Sequence, residues 1–256
     1  MSTAAPLSPP RDDLNRQHPT STTHSTRSKG PGFVQQLLTL AARDLALEWK
    51  SRTRVNATVF FSVLTLLLFS FAAGPSHATL AQNAPGYLWL SILLSSVLAL
   101  SESMRLELEN DALEGLRLVP VSPRALFLAK ALVNSLYLTA LGFLLVPIAV
   151  ALYGAPLTLG FAPLAGALVL GALGISAPGT LYGAIAAQAR AKDVMLPLLL
   201  FPILVPSLLA SVKATALAMH GDPMGEYGAW IGLLAAFDVL YWALCALLFG
   251  RVIEES

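Results

Sequence analysis

The chain has 256 residues, 55% of them hydrophobic and only 12% charged, with a mean hydropathy of +0.67; a water-soluble domain of this length cannot hide so much apolar surface. With 16 Lys and Arg against 15 Asp and Glu, the net charge of +1 offers no electrostatic case for nucleic acid, so the placement of charge carries the information. Cys245 is the only cysteine and lies in an apolar run, which excludes a disulfide framework, a cysteine-built metal cluster and a c-type haem attachment motif; it reads as a small buried hydrophobe.

Residues 1–32 are rich in Ser, Thr and Pro and nearly free of apolar side chains, the composition of a disordered tail, here expected in the cytoplasm. The tail has no apolar signal-peptide core, Asp12 and Asp13 speak against an organellar transit peptide, and His18 and His24 are expected to be solvated. From residue 33 to 54 the pattern becomes amphipathic. Val34, Leu38, Ala41, Leu45 and Trp49 share one side of a helical projection and Gln36, Arg43 and Lys50 the other, with Leu40 and Leu47 interrupting the polar face. This predicts a helix lying in the membrane interface, and Lys50, Arg52 and Arg54 mark its end as cytoplasmic.

Six apolar runs follow, each about as long as the 20 residues a bilayer core demands or somewhat longer: Val55 to Ala73, Gly86 to Met104, Ala125 to Tyr153, Phe161 to Gln188, Val194 to Val212 and Ala229 to Gly250. An even number returns the C-terminus to the cytoplasm. On this topology Arg105, Arg117, Arg124, Lys130, Arg190, Lys192 and Arg251 fall at or near the cytoplasmic side and Lys213 alone falls outside. In the second run Ser91, Ser95 and Glu102 form a polar stripe, with Glu102 placed either to pair with Arg105 or to make a gating contact.

The stretch from Arg105 to Lys130 is the richest in charge. Leu108, Ala112, Gly115 and Leu116 fall on one side and Glu107, Asn110, Asp111, Glu114 and Arg117 on the other, an amphipathic helix at about 106–118. Asn110 suits an N-cap, Asp111 the first turn, and Val119-Pro120 with Ser122-Pro123 ends the helix. A solvated connecting loop is the competing reading.

The fourth run carries Ala162/Gly166, Ala167/Gly171 and Gly179/Gly183/Ala187 at four-residue spacing, which lets helix backbones approach closely. Pro178 and Gly179 in its Ala-Pro-Gly break, and Pro197, Pro202 and Pro206 in the fifth run, predict kinks or local unwinding. Asp238 in the sixth is a clearly intramembrane acid and a functional candidate whose partner the sequence does not name. There is no Walker A loop, HExxH, GxSxG or dense set of intramembrane carboxylates or histidines, so catalysis is not expected and energy must come from elsewhere. An interfacial helix before the first span and an acidic amphipathic helix between the second and third suit the membrane component of an ABC transporter.

The segments LEWKSRTRVN, NAPGYLWLSILLSSVLALSESMRLELENDALEGLRLVPVSPRALFLAK and ISAPGTLYGAIAAQARAKDVMLPLLLFPILVPSLLA, with the six-span spacing, resemble the CcmB family, the permease component of the haem exporter of cytochrome c maturation, from about residue 33 to the C-terminus. The resemblance implies an all-α polytopic protein of the bacterial inner membrane with ABC-2-like permease architecture, dimeric and non-catalytic. It implies an ATP-binding partner (CcmA-like), a haem-handling membrane protein (CcmC-like), a small one-span protein (CcmD-like) and a periplasmic haem chaperone (CcmE-like). ATP then belongs to the partner and haem is handled by the complex, with no cofactor or metal held by this chain. Glu107, Glu109, Asp111, Glu114 and Arg117 are the expected ATPase contacts; Glu102, Pro178, Gly179 and Asp238 are gating or structural candidates. His77 and His220, in short exoplasmic loops, are expected to be exposed rather than haem ligands. Two other readings stay open: an ABC-2 exporter permease for another substrate, and a membrane scaffold without an ATPase. The tail before Phe33 departs from the family's usual start.

Overall fold

A computed structural model describes residues 32–50, 52–109, 123–188 and 192–254. They form seven helices: α1 (Phe33–Lys50), α2 (Arg52–Ala72), α3 (His77–Glu109), α4 (Pro123–Tyr153), α5 (Phe161–Gln188), α6 (Lys192–His220) and α7 (Tyr227–Glu254). All but α1 contain a stretch long and apolar enough to cross a membrane, six in total. The charged cluster at the end of the amphipathic segment is divided, since α1 closes at Lys50 while Arg52 and Arg54 open α2.

Two spans are displaced from their expected limits. The second begins at His77 instead of Gly86, and the fifth covers Leu200–His220 instead of ending near Val212. Helix α3 passes through Pro85 and is preceded by Ser76, whose Oγ stands 3.5 Å from the Thr79 amide at the N-cap position. In α6 the run KATALAMH consists mostly of helix formers, so the helix carries Lys213 within it, on an exposed side, instead of leaving it in a loop. Glycines stop two of the helices. Gly154 and Gly221 take positive φ, 66° and 103°, and their amides bond the carbonyls of Val150 and Leu217 at 2.9 Å, the left-handed C-cap that a residue with a Cβ adopts only with strain.

The predicted unwinding at proline does not occur: α5 runs unbroken through Pro178, and α6 through Pro197, Pro202 and Pro206. Proline removes one backbone bond and leaves the rest of the ladder intact, and neighbouring helices hold both segments.

Helix α5 is central, packed against α3, α4, α6 and α7; α2 flanks α3 and α4, and α7 closes the opposite side on α5 and α6. Small residues allow the close approach. A Cβ on Gly171 would run into the Trp89 ring of α3 and stand 2.6 Å from Ser211 Oγ of α6, and one on Gly179 would strike Leu100 of α3. Hydrogen bonds across the apolar interior fix the register: Tyr153 Oη donates to the Leu66 carbonyl (2.7 Å), Trp89 Nε1 to Thr215 Oγ1 (2.8 Å) and Asn134 Nδ2 to Thr180 Oγ1 (2.9 Å). Such bonds contribute about 0.6–2 kcal/mol each between membrane helices. The outward faces are apolar too: Phe60, Phe71 and Val239 are 70%, 81% and 73% exposed, which in water would be a severe association hazard and in lipid is ordinary solvation.

Candidate functional site

The base of the bundle is built around α1. On a helical projection its residues fall on three faces. Val34, Leu38 and Leu45 remain exposed and Arg43 is 40% exposed on the polar side, while Leu40 and Asp44 turn toward the bundle. Leu40, which interrupts the polar face in the sequence pattern, packs against a cluster of Leu126, Phe127 and Ala131 of α4, Ala177 and Leu181 of α5, and Cys245 and Phe249 of α7. The expected burial of Cys245 holds, at 4% exposure.

Asp44 is the residue that sequence reasoning missed. Its Oδ1 accepts two bonds from Arg43, from Nε at 3.0 Å and from a terminal nitrogen at 2.8 Å, and its Oδ2 lies 3.6 Å from Lys130 Nζ of α4. Both Asp44 and Lys130 are buried. A signal was present: Lys130 stands alone in the apolar run ALFLAKALV, and a cation so placed requires an acid nearby. The effect is to fasten α1 to the start of α4, the helix that follows residues 110–122 in the chain.

Of the expected ATPase contacts, Glu107 and Glu109 belong to the last turns of α3, which continues past its membrane-length stretch because SESMRLELE contains no helix breaker. Glu102 lies on the same helix. Asp111, Glu114 and Arg117, and the Asn110 cap, lie outside the described residues. The polar stripe above Glu102 is occupied in packing: Ser91 Oγ donates to the Ser62 carbonyl of α2 at 2.7 Å, and the Ser95 and Ser62 hydroxyls are 2.6 Å apart.

At mid-span, α5, α6 and α7 meet around Asp238. Its carboxylate is 6% exposed and faces Gly174 and Ser207, and among the described residues nothing hydrogen-bonds either of its oxygens or the Ser207 hydroxyl. Pro178 and Gly179 sit one turn along α5, both buried, with Gly179 against Leu100.

At the far end, His77 opens α3 and His220 closes α6, so both stand on helix ends instead of in loops, and both are exposed as expected. The His220 ring joins those helices, with Nδ1 and Nε2 each 3.0 Å from a carbonyl, of Ala216 and of Ala81. Two loops complete this end: Asp222 accepts the amides of Glu226 and Tyr227 at 2.8 and 2.9 Å to start α7, and the Thr158 and Leu159 amides bond the carbonyls of Met219 and Ala218. Among the described residues no group of three or more His, Cys, Asp or Glu side chains is arranged to hold a metal.

Six membrane-length helices, with the shorter helix α1 fastened to them by the Asp44–Lys130 pair, define a multi-pass helical membrane protein. The chain belongs to the CcmB family, whose model, described as CcmB protein, matches residues 35–256. Among similar proteins, Heme exporter protein B of Escherichia coli K12 is 31% identical over 197 residues, covering 75% of this chain and 87% of the relative. The protein of the same name from Paracoccus denitrificans is 30% identical over 191 residues, covering 72% and 85%, and that from Haemophilus influenzae is 29% identical over 203 residues, covering 79% and 90%.

Proposed function

We propose that this chain is the permease component of an ABC transporter complex for cytochrome c maturation, coupling ATP hydrolysis on a separate protein to haem export or to release of the haem-loaded periplasmic chaperone. The observation that carries the reading is the Asp44–Lys130 pair. It joins α1 to the first turns of α4, and residues 110–122 connect the end of α3 to the start of α4 in the chain. A force applied by an ATPase to that connection reaches α4 directly and α1 through a buried ionic contact. The relatives named Heme exporter protein B supply the cargo.

In this reading the ATPase end is cytoplasmic, both termini are on that side, and the protein resides in a bacterial inner membrane as a homodimer. The ATP-binding partner is CcmA-like, and CcmC-like, CcmD-like and CcmE-like proteins complete the pathway. Acidic residues from Glu107 to Glu114, with Arg117, engage the ATPase. Haem coordination falls to the partners in this reading, and one ring N–H of His220 has a backbone carbonyl within 3.0 Å to bond.

The test is deletion of the gene combined with affinity purification of the tagged protein from its native membrane. Loss of c-type cytochromes with other exports intact, and a co-purifying ATPase, is the expected result. Normal cytochromes with a bound ATPase would instead indicate an exporter of another substrate, and absence of any ATPase a scaffold.

A further inference from the structure

We propose that the first two turns of α3, residues 77–84, form a hinged flap at the end of the bundle away from α1, latched shut on α6 by His220. The hinge is Pro85-Gly86. Proline has no N–H for the carbonyl four residues back, so the Ala81 oxygen is left without a helical amide. Gly86 adds backbone freedom, with nothing within 4 Å of where a Cβ would stand. His220 meets the freed oxygen. Its Nε2 lies 3.0 Å from the Ala81 carbonyl, whereas the carbonyl 3.0 Å from Nδ1, that of Ala216, is already in helical register with the amide of residue 220. A ring N–H is therefore needed at Nε2, where it takes the place of the amide that Pro85 lacks.

The two sides of this contact are held unequally. Of residues 77–84 only Leu80 and Ala84 are buried, and the chain enters the segment through a short turn at Gly74, whose φ is 76° and beside which a Cβ would meet nothing. The end of α6 is fixed. Gly221 caps it on the Leu217 carbonyl, and the turn before α5 brings the Thr158 and Leu159 amides to the Met219 and Ala218 carbonyls at 3.0 and 3.1 Å. Thr158 Oγ1 also donates to the Met219 carbonyl at 2.8 Å, and the Ala218 and Met219 side chains are fully buried. A segment with few buried side chains, joined to its helix through an interrupted ladder, opens at lower free energy than its surroundings, so α3 supplies the moving part and α6 the fixed one. Opening stops at Trp89. About 12 Å further along α3, its Nε1 bonds Thr215 Oγ1 of α6 at 2.8 Å and its ring occupies the space facing Gly171. The flap thus uncovers the outer part of the seam between α3 and α6 while the deeper part stays closed. This device rests on backbone bonding at its own end and is independent of the ATPase and of the cargo.

The experiment is hydrogen–deuterium exchange of the detergent-purified complex, read at the amides of residues 80–84. His220→Ala should speed their exchange about three- to tenfold, as loss of one ordinary hydrogen bond does, and leave residues 88–100 of α3 as they were. Pro85→Ala returns an amide to the Ala81 carbonyl and should slow exchange at 80–84; in that background His220→Ala should add little. Unchanged exchange at 80–84 in His220→Ala overturns the latch. An equal rise in the Pro85→Ala background overturns it as well, since His220 would then act through something other than the freed carbonyl. Faster exchange that extends across 88–100 makes His220 a general support of the bundle and removes the flap. Should His220→Ala fail to accumulate, Pro85→Ala by itself decides: slower exchange than wild type at 80–84 supports the hinge, and an unchanged rate removes it.

Discussion

The carboxylate of Asp44 stands between two cations of different kinds: half-exposed Arg43 on its own helix takes one oxygen, and buried Lys130 on α4 lies 3.6 Å from the other. Asp44→Ala takes the acid from both cations at once and should destabilise the protein by about 3 kcal/mol, as loss of one member of a buried pair does. Lys130→Met leaves the Arg43 contact with Asp44 in place and should cost less than Asp44→Ala. Replacing both, as Asp44→Leu with Lys130→Met, should recover part of the loss, because neither member of the pair is then left buried without the other. Thermal unfolding in detergent measures all three, and a double variant as unstable as Asp44→Ala would show that the pair is incidental to the docking of α1.

Glycines in α5 should differ by what faces them. Gly171→Ala places a methyl against the Trp89 ring, which its bond to Thr215 holds still, and should lower stability by about 2–3 kcal/mol. Gly179→Ala meets only the flexible end of Leu100 and should cost under about 1 kcal/mol. Leucine at Gly179 or at buried Gly183 exceeds what a side-chain shift absorbs and should reduce assembled complex. Yield and unfolding temperature rank the four.

Charge reversal tests the ATPase contact. Asp111→Lys with Glu114→Lys should abolish co-purification of the ATPase and the yield of c-type cytochromes through electrostatic mismatch, while membrane insertion is preserved. Reversals at Asp12 and Asp13 serve as the control and should do little. Wild-type levels of both readouts in the double variant would reduce the segment to a plain connection.

Orientation follows from the Lys and Arg distribution. Reporter fusions at Ser76 and Asp222, which sit shortly before α3 and α7, should be active only as exoplasmic reporters, and fusions at either terminus only as cytoplasmic ones. Activity of the cytoplasmic type at Ser76 and Asp222 would invert the bundle.

Sequence alone determined the six membrane-length helices, since a run of apolar residues long enough to span is a one-dimensional property that no packing arrangement alters. It also determined the amphipathic α1 and the place of Asp238 within the sixth apolar run. Some helix ends were legible, as where α4 stops at Tyr153 before Gly154, whereas α3 and α6 run beyond their apolar centres through good helix-forming residues. Tertiary structure alone decided which face of each helix meets which neighbour. Periodicity places Leu40 and Asp44 between the lipid and water faces of α1 and gives no reason for that third face; α4 provides it, with Lys130 some 90 residues on in the chain. In the same way Ser207 and Gly174 look like ordinary packing residues until the crossing of α5, α6 and α7 brings them to Asp238, because contacts between distant segments depend on crossing geometry that no local pattern encodes.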